Sequence, residues 1–403
     1  MKKLLFSAVI AGLTLVSCSS DDSLGPEGEN NNEIPETYNF ERDGMSTVDY
    51  NGQTTRLQMT AEILSNFNDF DNASEELLLN MFANENSPFV NASLNESSKS
   101  VKSKVAASSL YFSTNTVESA EIKNDFESFI IGQMTTVKEN KDQLAEAGIA
   151  GQIADGERVR YVNEKGLEYN QAFAKGLIGA LLLDQIANNY LSQAVLDEGD
   201  NRANNDAGIT EEGKSYTTME HKWDEAYGYL YGDPSIPTAD PNSVLNESDD
   251  HLLFSYLGQV DEDEDFTGIA EETFQAFKAG RAAIVAGDYV ERDEQVAIIR
   301  ENLSTVIAVR AVHYLMGGKD AIEAGNYGKA FHELSEAYGF VYSLRFTNNP
   351  VINEPYLLAE DQARIEEQLL AGQGFWDVSP LTLYSISGEI DSRFEFSREE
   401  AAE

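Results

Sequence analysis

The sequence predicts a mainly α-helical protein, a duplicated helical bundle made of two related helical halves, with a small N-terminal β-hairpin. Three observations support this prediction: apolar residues recur at helical spacing, only 9 prolines interrupt 403 residues, and one 11-residue segment has a second copy that is identical at six positions. The ranges predicted to be helical are 116–147, 163–190, 215–231, 249–260, 267–285, 293–324, 326–346 and 358–371.

The N-terminus predicts a lipoprotein signal peptide over residues 1–17. Two lysines precede a short apolar stretch, which is the pattern of a secretory signal and is too short for a transmembrane helix. Residues 15–18, Leu-Val-Ser-Cys, resemble the lipobox of bacterial lipoproteins, in which the cysteine is acylated and becomes the mature N-terminus. Cys18, the only cysteine of the chain, is therefore the predicted lipid-attachment residue.

Residues 18–36 are predicted to be an acidic disordered tether, because they contain no basic residue and few apolar ones. Asp21 and Asp22 resemble the acidic export signal that sends Bacteroidota lipoproteins to the outer face of the outer membrane. We therefore expect a lipid-anchored outer-membrane protein that faces the cell surface. The net charge of −42, from 70 acidic and 28 basic residues, argues against nucleic acid as a partner.

The helical body is predicted over residues 37–403, with repeat halves at approximately 116–232 and 249–346. The β-hairpin is predicted within residues 46–55, because β-formers flank Asn51-Gly52, a dipeptide that favours a type I′ turn.

An apolar helix is predicted at the centre of the bundle over residues 171–187. Lys175 is one of its few polar positions, and Gly176 and Gly179 lie inside it. A helix that is apolar nearly all round belongs in a core, and its glycines allow a neighbouring helix to approach closely.

The repeated segment carries the main candidate site. Residues 221–231 align without gaps on residues 332–342, and the first residue is histidine and the fifth is glutamate in both copies. A spacing of four places both side chains on one helix face. Two facing copies could hold one metal ion, whereas each pair could equally form a buried hydrogen bond or take part in catalysis. The candidate metal or ligand residues are His221, Glu225, His332 and Glu336.

Two further sets of residues are candidate binding sites. An oxygen-rich stretch resembles a calcium loop but lacks the spacing of an EF-hand, so a solvated loop is favoured over a calcium site. Its candidate Ca²⁺ ligands are Asp197, Asp200, Asn201 and Asp206. Trp223 and Trp376 are expected to be exposed aromatics that could stack against a glycan or peptide.

Several segments together resemble an uncharacterised Bacteroidota family, domain of unknown function 4856, over approximately residues 37–390. The segments that carry the resemblance are 38–44, 52–59, 175–180, 220–226 and 374–377. Members of this family typically occur as lipoproteins beside imelysin-like proteins and outer-membrane receptors, which implies a part in iron or haem acquisition. The imelysin signature, Gly-x-His-x-x-Glu, is not kept here, because the Glu position holds Asp224 in one copy and Ser335 in the other.

The expected function is that of an accessory binding protein in the acquisition of iron, haem or another metal-linked nutrient. A transition metal or haem is the expected cofactor, with Ca²⁺ as a weaker candidate. An outer-membrane receptor or an imelysin-like protein is the expected partner. The alternatives are a glycan- or peptide-binding partner of a nutrient transporter and a metallohydrolase. The sequence contains neither a phosphate-binding glycine loop nor a His-Glu-x-x-His motif, so we lean against an enzyme.

Overall fold

Helices dominate the computed structural model, which describes residues 33–245 and 252–402. The described residues contain 15 α-helices and two β-hairpins, so the predicted mainly helical fold class is confirmed, while the duplication stays a prediction. The signal peptide, Cys18 and the tether up to residue 32 lie outside the described residues. The α-helices are α1 Asn51–Asn66, α2 Glu75–Ala83, α3 Ala92–Glu96, α4 Thr116–Gly132, α5 Tyr169–Leu177, α6 Gln193–Leu196, α7 Asn201–Asp206, α8 Thr218–Tyr231, α9 Leu253–Asp261, α10 Ile269–Ala286, α11 Tyr289–Glu323, α12 Tyr327–Ser343, α13 Ala359–Leu369, α14 Pro380–Asp391 and α15 Arg398–Ala402.

Shorter helical segments extend or connect these elements. Two π-helical segments continue α4 and α5, at Gln133–Val137 and Ile178–Tyr190. The 3₁₀ turns lie at Lys102–Lys104, Lys138–Asn140, Pro241–Val244, Leu344–Phe346 and Gly374–Trp376.

Both β-hairpins turn at a glycine with positive φ. The strands are β1 Glu41–Arg42, β2 Met45–Ser46, β3 Gly151–Asp155 and β4 Arg158–Val162. Asp43 and Gly44 join β1 to β2 with φ values of 54° and 76°, as a type I′ turn requires. Gly156, with φ 60°, opens the two-residue turn between β3 and β4. This second hairpin was not predicted from the sequence.

The hairpin predicted at Asn51-Gly52 is wrong in position, because these residues begin α1. The carboxylate of Asp49 accepts hydrogen bonds from the backbone N–H of Asn51 at 3.2 Å and from its side-chain amide at 2.8 Å. The N–H of Gln53 donates to the carbonyl of Tyr50 at 3.0 Å and closes the first turn. A side chain that fixes the turn geometry thus favours a helix start at a dipeptide that also permits a hairpin.

The predicted helix over 163–190 begins six residues later, at Tyr169. The side-chain oxygen of Asn163 accepts hydrogen bonds from the backbone N–H groups of Lys165 and Leu167, both at 2.9 Å. Asparagine side chains often stabilise turns in this way, in competition with helical hydrogen bonds. The start of the predicted segment is therefore a turn that leads into α5.

The predicted helix over 116–147 ends early for a different reason. Helical structure stops at residue 140, and Leu144 forms a parallel β-bridge with Gln152 in β3. The remaining predicted helices lie within a few residues of those in the structure.

The segment formed by α5 and its π-helical continuation lies at the centre of the bundle, as predicted for residues 171–187. Every residue of Ile178–Tyr190 is buried. A Cβ atom on Gly179 would lie 2.5 Å from the Cα of Ser343 in α12, and one on Gly176 would lie 3.3 Å from an aromatic ring of α4. The two glycines therefore allow the close packing that the sequence indicated.

The longest helix, α11, has 35 residues and packs against α10, α12, α14 and α15. Its side chains Leu303, Val306 and Ile307 are fully buried in the main core. Glycines with positive φ follow the ends of α10 and α11, at Gly287 and Gly325, and provide left-handed helix ends. The short connections after these glycines keep α10, α11 and α12 next to one another in space.

A buried ionic network connects the N-terminal segment to α8 and α10. Arg281 is fully buried, with Nε 3.0 Å from Asp224 and Nη1 3.1 Å from Glu220. The hydroxyl of Tyr38 donates to Asp224 at 2.7 Å, and Arg42 donates to both carboxylate oxygens of Glu220. Burial raises the pKa of Asp224 to about 6, although Arg281 opposes the shift. Breaking a buried pair of this kind costs about 3–5 kcal/mol.

The described residues belong to one compact unit of the chain. None of the helices within 33–245 and 252–402 combines the length and the apolar composition needed to cross a bilayer.

Candidate functional site

The two copies of the repeated segment lie on α8 and α12, and each helix begins with a side-chain cap. Thr217 and Glu220 form a capping box at the start of α8, in which each side chain accepts a hydrogen bond from the backbone N–H of the other. The side chain of Asn326 accepts from the N–H of Lys329 at the start of α12. These caps satisfy N–H groups that have no partner within the helix, so they fix where each helix begins.

The glycine shared by the two copies has the same role in both helices. A Cβ atom on Gly228 would lie 2.4 Å from the Cβ of Tyr50 at the start of α1. One on Gly339 would lie 2.5 Å from the Cβ of Lys175 in α5. Each glycine thus lets one neighbouring helix approach the His–Glu face of its own repeat helix.

A second correspondence occurs at the fourth position of the aligned segments. Asp224 accepts a hydrogen bond from the backbone N–H of Asp49, just before α1. Ser335, at the aligned position, accepts one from the backbone N–H of Glu168, just before α5. The α1–α8 and α5–α12 pairs therefore make corresponding contacts.

On α12, the predicted residues His332 and Glu336 form a cluster with two residues of the α5 segment. The Nδ1 atom of His332 lies 3.3 Å from Oε2 of Glu168, and its Nε2 atom lies 3.8 Å from Oε1 of Glu336. The same Oε1 atom lies 3.5 Å from Nζ of Lys175. The side chain of His332 is 19% exposed, whereas the other three are nearly inaccessible. We call these four residues the His332 cluster.

The electrostatics of the His332 cluster keep Glu336 ionised. Burial opposes ionisation, but Lys175, His332 and a hydrogen bond from Tyr314 hold the pKa of Glu336 below its usual range. The Oε1 atom of Glu168 is buried and has no hydrogen-bond partner. The cluster therefore combines an imidazole, an ionised carboxylate and a carboxylate oxygen with unused acceptor capacity.

On α8, the predicted residues His221 and Glu225 lie in a different environment. Glu225 accepts hydrogen bonds from Lys222 at 2.9 Å and from Gln53 at 3.2 Å. The ring of His221 stacks on Tyr216, with the centroids 4.6 Å apart, and its Nδ1 atom is buried without a partner. Burial opposes ionisation of Glu225, but the charge of Lys222 holds its pKa below the usual range, and His221 adds to this effect.

The structure does not bring His221, Glu225, His332 and Glu336 together as one site. His221 stacks on Tyr216, whereas His332 lies between Glu168 and Glu336. Within the described ranges, no group of three or more His, Cys, Asp or Glu side chains is arranged to hold a metal ion.

The expectation that Trp223 is an exposed aromatic is wrong. Its side chain is fully buried, and its indole N–H donates to the carbonyl of Phe277 at 3.0 Å. No ring face is left for a glycan. Trp376 is half-buried and packs edge-to-face against Phe331 with the centroids 4.6 Å apart, and its Nε1 atom is buried without a partner.

Among the candidate calcium ligands, Asp197 forms ion pairs with two arginines. Its carboxylate oxygens lie 2.7 Å from Arg292 and 2.6 Å from Arg202. Burial opposes ionisation, but the hydrogen bonds and charges of these arginines lower the pKa of Asp197 to about 2. The arginines thus neutralise the charge that Ca²⁺ would need.

The other three candidates, Asp200, Asn201 and Asp206, lie at or within α7. Asn201 donates its side-chain amide to a backbone carbonyl at 3.1 Å, and Asp206 accepts from the hydroxyl of Tyr289 at 2.6 Å. Asp200 is exposed and precedes the helix. The stretch is therefore a short helix rather than an open loop of oxygen ligands.

Sequence reasoning missed Glu168 as a member of the His332 cluster. Glu168 lies directly before α5, where helical periodicity gives no information about the direction of its side chain. Lys175 could be recognised from the sequence as unusual, because it is one of few polar residues in an apolar helix. Its pairing with Glu336 depends on the packing of α5 against α12, which the sequence does not show.

The fold and the two His–Glu environments define a mainly helical protein with buried, mixed-charge clusters on two repeat helices. The profile of a family described as a domain of unknown function (DUF4856) matches residues 35–397, and the chain belongs to this family. No curated protein and no solved structure matches the chain.

Proposed function

We propose that this chain is a lipid-anchored accessory binding protein of the bacterial outer membrane, which takes part in the acquisition of haem or another metal-linked nutrient. The lipobox-like residues up to Cys18 and the acidic residues that follow support the location. The His332 cluster supports the binding function.

The observation that carries this proposal is the position of His332 between two carboxylates. With the Nδ1 proton directed at Glu168, 3.3 Å away, the Nε2 atom keeps its lone pair. Histidines that bind metals usually donate their other ring N–H to a carboxylate, which fixes the tautomer and raises the basicity of the ligating nitrogen. Glu168, with its second oxygen unpartnered, is suited to this role.

The ligand class that fits this geometry is a metal ion already bound by an organic chelator, as iron is in haem. Haem iron takes its protein ligands from one or two axial side chains, so one oriented imidazole is sufficient. Glu336 lies 3.8 Å from Nε2 and offers a second donor, with Lys175 beside it. A cation at Glu336 competes with Lys175, whereas an anionic chelator is attracted by it.

The test is a titration of the purified mature chain with haem, followed by its absorption spectrum, and a parallel titration with Zn²⁺. We expect micromolar haem binding that His332→Ala weakens at least tenfold. His221→Ala is the matched control, because it removes the aligned histidine and is expected to keep the wild-type affinity. Glu168→Gln is expected to weaken binding less than His332→Ala, because it acts through the histidine.

Two outcomes contradict the proposal. If neither haem nor Zn²⁺ binds at micromolar concentration, the chain is not a metal-linked binding protein of this kind. If His221→Ala removes binding and His332→Ala does not, the site is assigned to the wrong repeat. Unchanged circular dichroism spectra of the variants show that any loss is not caused by unfolding.

A further inference from the structure

Four basic residues converge next to the first repeat helix, although the chain carries a net charge of −42. Arg56 comes from α1, Lys99 follows α3, Lys104 ends the 3₁₀ turn after it, and Lys222 lies on α8. Each of the other three lowers the pKa of Lys104 through its positive charge. We call these four residues the basic cluster. Glu225 acts on Lys104 in the opposite direction and forms an ion pair with Lys222 at 2.9 Å.

Arg56 is the most buried member of the basic cluster, with 5% of its surface exposed. It donates to the carbonyls of Gly52 and Ser100, at 3.3 and 3.1 Å. Within the described part of the chain, no carboxylate forms an ion pair with it. A buried charge without a charged partner is costly, and an anion bound beside it reduces that cost.

The aromatic ring of Tyr190 lies next to two lysines of the basic cluster. The Nζ atoms of Lys104 and Lys222 lie 5.0 and 5.6 Å from the centroid of its ring. Tyr190 stacks on Tyr229, with the centroids 6.1 Å apart, so the ring is held by the core. Two lysine amines are thus positioned by one rigid aromatic side chain.

Three members of the basic cluster reach the solvent. Lys99 is exposed, the side chain of Lys222 is 29% exposed, and Lys104 is half-buried. Neither Lys99 nor Lys104 forms an ion pair within residues 33–245 and 252–402. The amines of Lys99 and Lys222 are therefore accessible to a small ligand, whereas Arg56 is buried.

Burial lowers the pKa of Lys104 to about 8, and Arg56, Lys222 and Lys99 act in the same direction. The neighbouring positive charges thus add to the effect of burial, and Glu225 opposes it.

We propose that the basic cluster, with Tyr190, is a binding site for a small oxyanion with several negative charges, either a phosphate or a polycarboxylate. The cations come from α1, from the connection after α3 and from α8, and two of them lie over one aromatic ring, in a chain whose charge otherwise repels anions. Phosphate and carboxylate oxygens accept the charge-assisted hydrogen bonds that lysine and arginine donate. The site is separate from the His332 cluster, so it extends the function proposed above and does not depend on it.

Isothermal titration calorimetry of the mature chain at low ionic strength tests this proposal, with inorganic phosphate and citrate as separate probes. The double variant Lys104→Gln plus Lys222→Gln is expected to bind at least tenfold more weakly than the wild type. The matched control is Lys141→Gln plus Lys319→Gln, which removes two lysines that pair with neighbouring acidic residues elsewhere. The control is expected to keep the wild-type affinity.

The comparison of the two probes identifies the source of the oxyanion, because the tighter ligand shows whether the site is shaped for phosphate or for carboxylates. His332→Ala is expected to leave this binding unchanged, which separates the site from the His332 cluster. Absence of binding by both probes at millimolar concentration overturns the proposal. An equal loss of affinity in both double variants also overturns it, because the attraction would then be an unspecific effect of net charge.

Discussion

At the scale of single residues, Glu366 on α13 has an unusual protonation state. Its Oε1 atom is buried and has no hydrogen-bond partner. Burial raises the pKa of Glu366 to about 8, with Asp125 acting in the same direction and Gln362 and Arg345 against it. The folded chain therefore keeps a proton at neutral pH that an unfolded chain, with an ordinary pKa of 4.5, has lost.

This raised pKa predicts that stability decreases with rising pH. The stabilising contribution of protonated Glu366 is fully present below about pH 4.5 and is lost as the pH rises through about 8. Glu366→Gln stays neutral, so we expect its free energy of unfolding at pH 8 to exceed that of the wild type by about 1–3 kcal/mol. The difference is expected to shrink toward pH 4.5. Urea unfolding at several pH values measures it.

The exposed neighbour Glu367 is the control for this prediction. Glu367→Gln is expected to follow the wild-type pH dependence, because its carboxylate is in water in both states. If Glu366→Gln and Glu367→Gln give the same curves, Glu366 does not hold its proton in the folded chain.

At the scale of elements, the contact between the central π-helical segment and α12 depends on Gly179. An alanine Cβ there would lie 2.5 Å from the Cα of Ser343, so one helix must move. We expect Gly179→Ala to lower the free energy of unfolding by about 1–3 kcal/mol, as overpacking does in other cores. Thermal and urea unfolding monitored by circular dichroism measure the loss.

Gly317 on α11 is a suitable comparison, because its alanine Cβ would meet the flexible end of Glu333 at 3.0 Å rather than backbone. Gly317→Ala is expected to leave stability unchanged or to raise it by up to about 1 kcal/mol through helix propensity. Equal effects of the two substitutions would mean that the close helix contact at Gly179 is not needed.

Helices with a strong apolar period could be predicted from the sequence, whereas elements fixed by single polar side chains could not. The ranges of α8, α10, α11 and α12 agree with the predicted ones to within a few residues. The start of α1 was misassigned because Asp49 caps a segment that also suits a hairpin. Local competition between a cap and a turn is decided by contacts that periodicity does not show.

In the candidate site, too, some residues could be predicted from the sequence and others could not. The spacing of His332 and Glu336 predicted that they share a helix face, and the structure places both in one cluster. Glu168 could not be found, because its contact with His332 spans 164 positions along the chain. Trp223 was misjudged because a single sequence does not distinguish a buried tryptophan from an exposed one.

At the scale of the whole molecule, the charge of −42 affects how the protein can be held at a membrane. A strongly acidic body is repelled by anionic lipid surfaces, so electrostatic adsorption does not retain it there. The acylation of Cys18 that we propose would not depend on electrostatic attraction to the lipid surface.

This reasoning predicts that replacement of Cys18 releases the protein from the membrane. In a bacterial host with the matching lipoprotein export system, we expect the wild-type chain to incorporate labelled palmitate and to fractionate with the outer membrane, and Cys18→Ala to do neither. Asp21→Ala plus Asp22→Ala is the matched variant, because it keeps the cysteine and changes only the acidic residues after it. It is expected to remain acylated but to become resistant to protease added to intact cells. A wild-type chain without palmitate label would show that residues 1–18 are not a lipoprotein signal.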